Sequence, residues 1–167
     1  MGTNVLKKYK QSEITGIVQL FGSIESHTRK SVQLNALARN FSQTLANEVS
    51  VFEFGQTFSY NKVYFRSINN EHVTLESHLE GTFQKSINND GVICVITQDE
   101  LSQKAEAYVH YTYVKSKQQL MVADIQGVGY SLCDPEIASA ELQDPDDNSI
   151  IFCTGNLSYH AIENFPN

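Results

Sequence analysis

Basic charge is scarce in this chain: 12 Lys and Arg stand against 19 Asp and Glu in 167 residues, a net charge of -7. A surface that lacks excess cations is ill suited to general nucleic-acid binding, which leans on Lys and Arg to neutralise phosphates. It suits instead a basic protein partner, or plain solubility. Cysteine is also sparse. Cys94, Cys133 and Cys153 are three in number and widely spaced, without a Cys-x-x-Cys pair, so neither a disulfide framework nor a local zinc knuckle is written here and reduced thiols are expected. No apolar run approaches the roughly 18 residues that span a bilayer, so no membrane partner is expected. The lysines at 7, 8 and 10 are not followed by an apolar leader with a small-residue cleavage site, and a cytoplasmic location is the expectation. No repeat or low-complexity tract is present.

A hydrophobic content of 41% and a length near one domain's worth of chain predict a single compact unit over 1–167. Residues 5–10 read as a strand, with 14–20 continuing a first hairpin and 25–30 a polar connection. From Ser31, Leu34, Leu37, Ala38, Phe41 and Leu45 recur at helical spacing and predict one long helix with a buried stripe. Residues 51–54, 62–66 and 73–79 then read as an antiparallel meander, separated by turn-prone Gly55 and Asn69-Asn70. Asn88 to Gly91 reads as a loop, and Leu101, Ala105, Tyr108 and Thr112 mark a second helix. Leu120 to Ala123 is a short buried strand entered from the polar turn 115–118, and 138–149 is an acidic loop.

The chemistry gathers just after that strand. Asp124 and Gln126 are two apart and share a face if the strand continues, Gly127 and Gly129 allow a sharp turn and close backbone approach, and Asp134-Pro135 returns a second carboxylate. Carboxylate and amide oxygens are the ligands a hard cation such as Mg²⁺ prefers, with water and phosphate completing its shell. Taken singly, each of these is ordinary loop punctuation. The stretch is not a dinucleotide fingerprint, because the third glycine and the following helix are absent, nor a Walker loop, because no Gly-Lys-Ser/Thr follows.

The ordered set resembles the alpha-kinase family. Val5-Leu6-Lys7-Lys8-Tyr9-Lys10, Glu76 through Lys85 with Gly81 and Phe83, Asn88-Asn89-Asp90-Gly91, the helix segment with His110 fourteen residues before Asp124, Leu132-Cys133-Asp134-Pro135 and Gly155-Asn156-Leu157 fall in the family's order and spacing. The resemblance implies an α+β, two-lobed, protein-kinase-like fold. Its N-lobe, about 1–80, is an antiparallel sheet with one long helix, and its C-lobe, 81–167, is mixed, with ATP between them. It implies an ATP- and Mg²⁺-dependent protein serine/threonine kinase. Lys7 is expected on the α/β-phosphates, alternation placing Leu6 toward the core and Lys7 toward the cleft, with Lys8 and Lys10 as neighbouring candidates. Glu76 and the backbone beside it are expected at the adenine, and Lys85 and Asn89 near the phosphates. Gln126 and Asp134 are expected on Mg²⁺, and Asp124 on the acceptor hydroxyl. Gly155 and Asn156 are expected in the site's floor and substrate loop.

Departures from the family pattern are specific. Ser86 and Ile87 replace an aromatic residue and an asparagine, and Cys133 stands where a threonine is usual. The family's zinc needs a further histidine and two cysteines beyond the Gly-Asn-Leu turn, so an incomplete zinc site is expected, with His110 either a remnant ligand or a packed core histidine. The family also has strands ahead of the Lys7 strand, and the chain reads as a domain shortened at both ends. A nucleotide- or protein-binding module without turnover is the alternative reading. A metal-dependent hydrolase using Asp124 and Asp134 is a third.

Overall fold

The computed structural model describes residues 2–94, 99–152 and 158–165, which form an α+β arrangement of three small sheets and five helices. Strand β1 (Asn4–Lys7) pairs antiparallel with β4 (Glu71–Ser77), which pairs antiparallel with β3 (Tyr64–Ile68), so β1 and β3 are the edges of a sheet ordered β1-β4-β3. A second sheet runs β2-β8-β7-β5, from β2 (Ser59–Tyr60), β8 (Ser131–Leu132), β7 (Ile125–Val128) and β5 (Gln84–Ile87). Strands β6 (Leu120–Ala123) and β9 (Glu136–Ser139) make an antiparallel pair. The acidic loop expected over 138–149 therefore begins later, because Ala138 and Ser139 complete β9.

The long helix starts earlier than its apolar stripe. Helix α2 (Ile24–Glu48) begins after Ser23, whose hydroxyl accepts from Ser26 N at 3.0 Å, and Glu25 sits in the first turn where the helix dipole favours a carboxylate. Polar residues 25–30 are thus helix rather than connection, and His27 and Thr28 among them are buried. Residues 14–20 are also helix, not strand. Ile14, Ile17, Val18 and Phe21 follow the i, i+3, i+4, i+7 rule along α1 (Gln11–Phe21), which Gly22 ends at φ 76°. The expected strand at 51–54 is one helical turn, α3 (Val51–Phe54), with Phe52 97% exposed.

Helix α4 (Glu100–Lys115) is capped by Asp99, whose carboxylate accepts from Ser102 N at 2.8 Å. The core lies between α2, α4 and the strands of the second half, with Tyr108 at its centre. Its ring is fully buried, yet its hydroxyl donates to Ala38 O at 3.0 Å and accepts from Ser42 Oγ at 3.1 Å. Both bonds reach α2, so a buried polar group is satisfied while the two helices are locked together. Lys104 anchors the other end of α4, donating to Gln56 O at 2.8 Å, with its ammonium 5.1 Å from the Phe54 ring centre and 5.0 Å from that of Tyr130. Short helix α5 (Ser158–Asn164) packs against β9. No described helix is long and apolar enough to cross a membrane.

Candidate functional site

Lys7 ends β1, and Glu76 lies on β4 diagonally across the ladder, since Lys7 pairs with Thr74 and residues two apart on a strand share a face. Lys7 Nζ is ion-paired with Glu76, whose side chain is buried, and with Asp134, 127 residues away. The face of β1 is the reverse of the one expected for Leu6. Val5 and Lys7 are half-buried, whereas Leu6 is 41% exposed. Burial works against the Lys7 charge, but the hydrogen bonds and charges of Asp134 and Glu76 prevail and hold its ammonium above the ordinary lysine range.

On the second sheet Lys85 of β5 is the direct cross-strand partner of Gln126 on β7, which puts both on one face. Lys85 Nζ is ion-paired with Asp124. Asp124 stands between β6 and β7 at φ 55°, in a left-handed conformation that aspartate tolerates better than most residues and that bends the chain so its carboxylate meets Gln126. Gln126 Nε2 donates to Asp124 Oδ2 at 2.7 Å and lies 3.3 Å from Asp134 O. Asp134 is itself left-handed, at φ 47°, and Cys133 N donates to Gln126 O at 3.0 Å, which pins the Asp134 turn to β7. Asn89 lies in the turn after β5, whose Asn88 O accepts from Asp124 N at 3.3 Å. Six expected residues, Lys7, Glu76, Lys85, Asp124, Gln126 and Asp134, are thus tied into one network of four strands and two turns, and Asn89 lies in the neighbouring turn, which Asn88 O joins to Asp124.

A cleft of about 260 Å³ opens between this network and α2, bordered by Lys7, Asp124, Asp134 and Glu136 and, from the helix, by His27 and Ser31. Glu136 was not foreseen. It pairs with Ala123 across β6–β9, so it sits beside Asp124 in space though twelve residues away, and nothing in the local sequence sets it apart from a loop glutamate. Burial, then the charges of Asp124 and Asp134, push its carboxyl up to about 7. Burial likewise raises Asp124, with Lys85 opposing and Asp134 and Asp90 adding to the rise. Burial first, then Asp134, lifts the Cys133 thiol to about 11, which leaves it protonated and poorly nucleophilic at neutral pH.

Carboxyls held above their ordinary range by burial first and then by neighbouring carboxylate charge mark a place where a divalent cation would relieve negative potential. Among the described residues no group of three or more His, Cys, Asp or Glu is arranged to hold a metal ion. The donor set nonetheless fits Mg²⁺, which takes one or two carboxylates and completes its shell with water and phosphate. Asp134 and the Gln126 amide supply that share.

His110 lies apart from the cleft. Ala105, Tyr108, Val109 and Thr112 form the buried stripe of α4, and His110 falls on its flank, exposed, bordering Tyr113, Ile162 and Phe165. It is not the packed core histidine expected. Gly155 and Asn156 lie outside the described residues.

The model of the alpha-kinase family matches residues 2–167. Transient receptor potential cation channel subfamily M member 6 of Homo sapiens is 30% identical over 148 residues, which are 82% of this chain and 7% of that protein. Myosin heavy chain kinase B of Dictyostelium discoideum is 33% identical over 90 residues, 54% of this chain and 11% of that one. The chain thus spans a small part of either relative. Among solved structures, the alpha-kinase domain of myosin-II heavy chain kinase A in complex with AMP-PNP shares the fold, with a TM-score of 0.72 at 23% identity over 97% of this chain and 58% of that one. From the family match along nearly its whole length, and from a fold shared with a solved member, it follows that this chain belongs to the alpha-kinase family.

Proposed function

We propose that this domain binds ATP with Mg²⁺ between the β1-β4-β3 sheet and the second half of the chain, and transfers the γ-phosphate to a serine or threonine hydroxyl of a protein. The observation that carries the reading is the convergence of Lys7, Asp124 and Asp134, drawn from separate strands and turns, on one cleft, with Lys85 and Gln126 bonded to Asp124 beside it. Phosphoryl transfer asks little covalent chemistry of a protein; it asks that phosphates be held, their charge neutralised and the acceptor aligned. Each group answers one of these needs.

Lys7, buttressed by buried Glu76, holds its ammonium toward the phosphates of the bound nucleotide. Lys85 stands opposite, from the other sheet. Each lysine is paired with an aspartate, Lys7 with Asp134 and Lys85 with Asp124, which sets both ammonium groups in the cleft region. Gln126 and Asp134 would hold Mg²⁺, whose charge would offset that of the phosphates. Asp124, its carboxylate oriented by Gln126 and Lys85, accepts the hydrogen bond of the acceptor hydroxyl and turns its oxygen in line with the phosphorus. Backbone of residues 78–83, which joins β4 to β5, frames the adenine edge and divides an N-lobe from a C-lobe near residue 80. The acidic balance of the chain favours a substrate whose hydroxyl lies in a basic context.

Incubation with γ-labelled ATP, Mg²⁺ and a basic threonine-containing peptide tests the reading. Label on the peptide is expected with Mg²⁺ and not with a chelator. ATP binding without transfer would leave a nucleotide-binding module, and release of free phosphate with an unlabelled peptide would indicate a hydrolase.

A further inference from the structure

Lys7 occupies an exposed edge. Strand β1 is four residues long and has one neighbour, β4, and the chain leaves the sheet directly after Lys7 as the irregular segment 8–10. Glu76 and Asp134 hold the Lys7 ammonium, but the backbone that carries it has a single ladder partner, Thr74, at the strand's last residue. What fixes the exit is Tyr9. Its hydroxyl reaches the first turns of α2, accepting from Thr28 Oγ1 at 3.0 Å and lying 2.9 Å from His27 Nδ1. Thr28 is fully buried and His27 is 7% exposed. The Tyr9 ring stands edge-on to His27 at 5.2 Å, and His27 stands edge-on to Phe21 of α1 at 4.7 Å. Tyr9 therefore binds the end of β1 to α2, and His27 carries the contact on to α1.

The competing attachment is weak. Lys8 is ion-paired with Glu71 at the start of β4, but both side chains are more than half exposed, and such pairs contribute little once solvent and salt screen them. The Tyr9 contacts are part-buried, with Thr28 and His27 themselves buried, and losing the tyrosine hydroxyl would leave His27 Nδ1 without its partner, the case in which a hydrogen bond counts most, whereas Thr28 Oγ1 keeps its bond to Ile24 O at 2.7 Å. Burial holds His27 below the ordinary histidine range, so its imidazole is neutral and Nδ1 can accept from the tyrosine. His27 also borders the cleft that Lys7 enters, so α2, the tyrosine and the lysine share one wall.

We infer that Tyr9 is a positioning residue: its hydroxyl, held by His27 and Thr28 of α2, sets where Lys7 presents its ammonium, and so ties nucleotide affinity to the seating of that helix. The link to nucleotide rests on the kinase reading above; the link to Lys7 does not.

Tyr9→Phe keeps the edge-on ring and removes only the hydroxyl. In the nucleotide-free protein, acylation of Lys7 by an amine reagent, followed by peptide mass spectrometry, is expected to quicken about threefold or more, while exposed Lys62 in the same sample keeps its rate. ATP binding is expected to weaken by a similar factor, and that weakening is expected to vanish in a Lys7→Met background, where a general loss of structure would persist. If Tyr9→Phe does not fold, Thr28→Val removes one donor to the same hydroxyl and is expected to act in the same direction. An unchanged Lys7 rate in the folded variant overturns the inference. So does an ATP effect of equal size with and without Lys7. A quickened Lys7 in a protein that never binds ATP upholds the positioning role and rejects the kinase reading alone.

Discussion

Asp124→Ala is expected to lower phosphate transfer at least about a hundredfold with ATP affinity nearly intact, the scale and pattern of removing a positioned acid-base group that acts on the acceptor. The argument is geometric. Asp124 is 9% exposed, its carboxylate receives Gln126 Nε2 at 2.7 Å and pairs with Lys85, and the cleft lies before it. Asp134→Ala is expected to lose as much activity by another route, because Asp134 pairs with Lys7 and is the carboxylate proposed for the cation. Its loss raises the Mg²⁺ and ATP concentrations needed as well as lowering kcat. Separate titrations of ATP and Mg²⁺ for each variant distinguish the two. Activity equal to that of the unaltered protein in both variants would remove both assignments.

Gly127→Val is expected to cost about 3 kcal/mol or more of stability, roughly 6–12 °C in Tm for a chain of this size, and to abolish activity with it. The reason is a close approach. Gly127 sits in the middle of β7, opposite Gln84 on one side and Leu132 on the other, and a Cβ built on it would lie 2.1 Å from Ser131 O and 2.8 Å from Leu132 Cα. Those are backbone atoms, which cannot swing aside, so the β7–β8 ladder must open. The open end of that ladder carries Gln126 on one strand and delivers Asp134 from the other, which is why stability and chemistry fail together. Gly129→Ala is the contrast. At φ 55° it has open space around it, so only the backbone conformation resists, at about 1 kcal/mol. A Gly127 variant that melts with the unaltered protein would contradict the packing described.

Much of this site was legible because local pattern and tertiary placement agree there. Leu120 to Ala123 announce a buried strand, and β6 has those bounds. Asp124 and Gln126, two apart, do face each other, although the chain breaks at Asp124 instead of continuing as one strand. The site residues came from the resemblance more than from periodicity, since no local rule tells that Lys7 and Asp134 will meet. Where the reading failed, a local rule was overridden or misapplied. Residues 14–20 form helix and not the second strand of a hairpin, because Ile14, Ile17, Val18 and Phe21 carry helical spacing. Helix α2 starts ahead of its apolar stripe because a serine cap, not hydrophobicity, decides a helix's first turn. Leu6 faces outward because Lys7 has partners that outweigh the leucine's preference for the core. Glu136, Tyr9 and His27 could not be singled out at all, for each gains its meaning from a neighbour distant along the chain.

The central claim is that a divalent cation on Gln126 and Asp134, flanked by Lys7 and Lys85, presents the nucleotide to an alcohol beside Asp124. A crystal structure of the protein with Mg²⁺ and AMP-PNP tests it most directly. The account predicts the cation in contact with Asp134 and the Gln126 amide oxygen, and phosphate oxygens on both lysines. Nucleotide bound elsewhere, with Lys7 still on Asp134 and Lys85 still on Asp124, would contradict it.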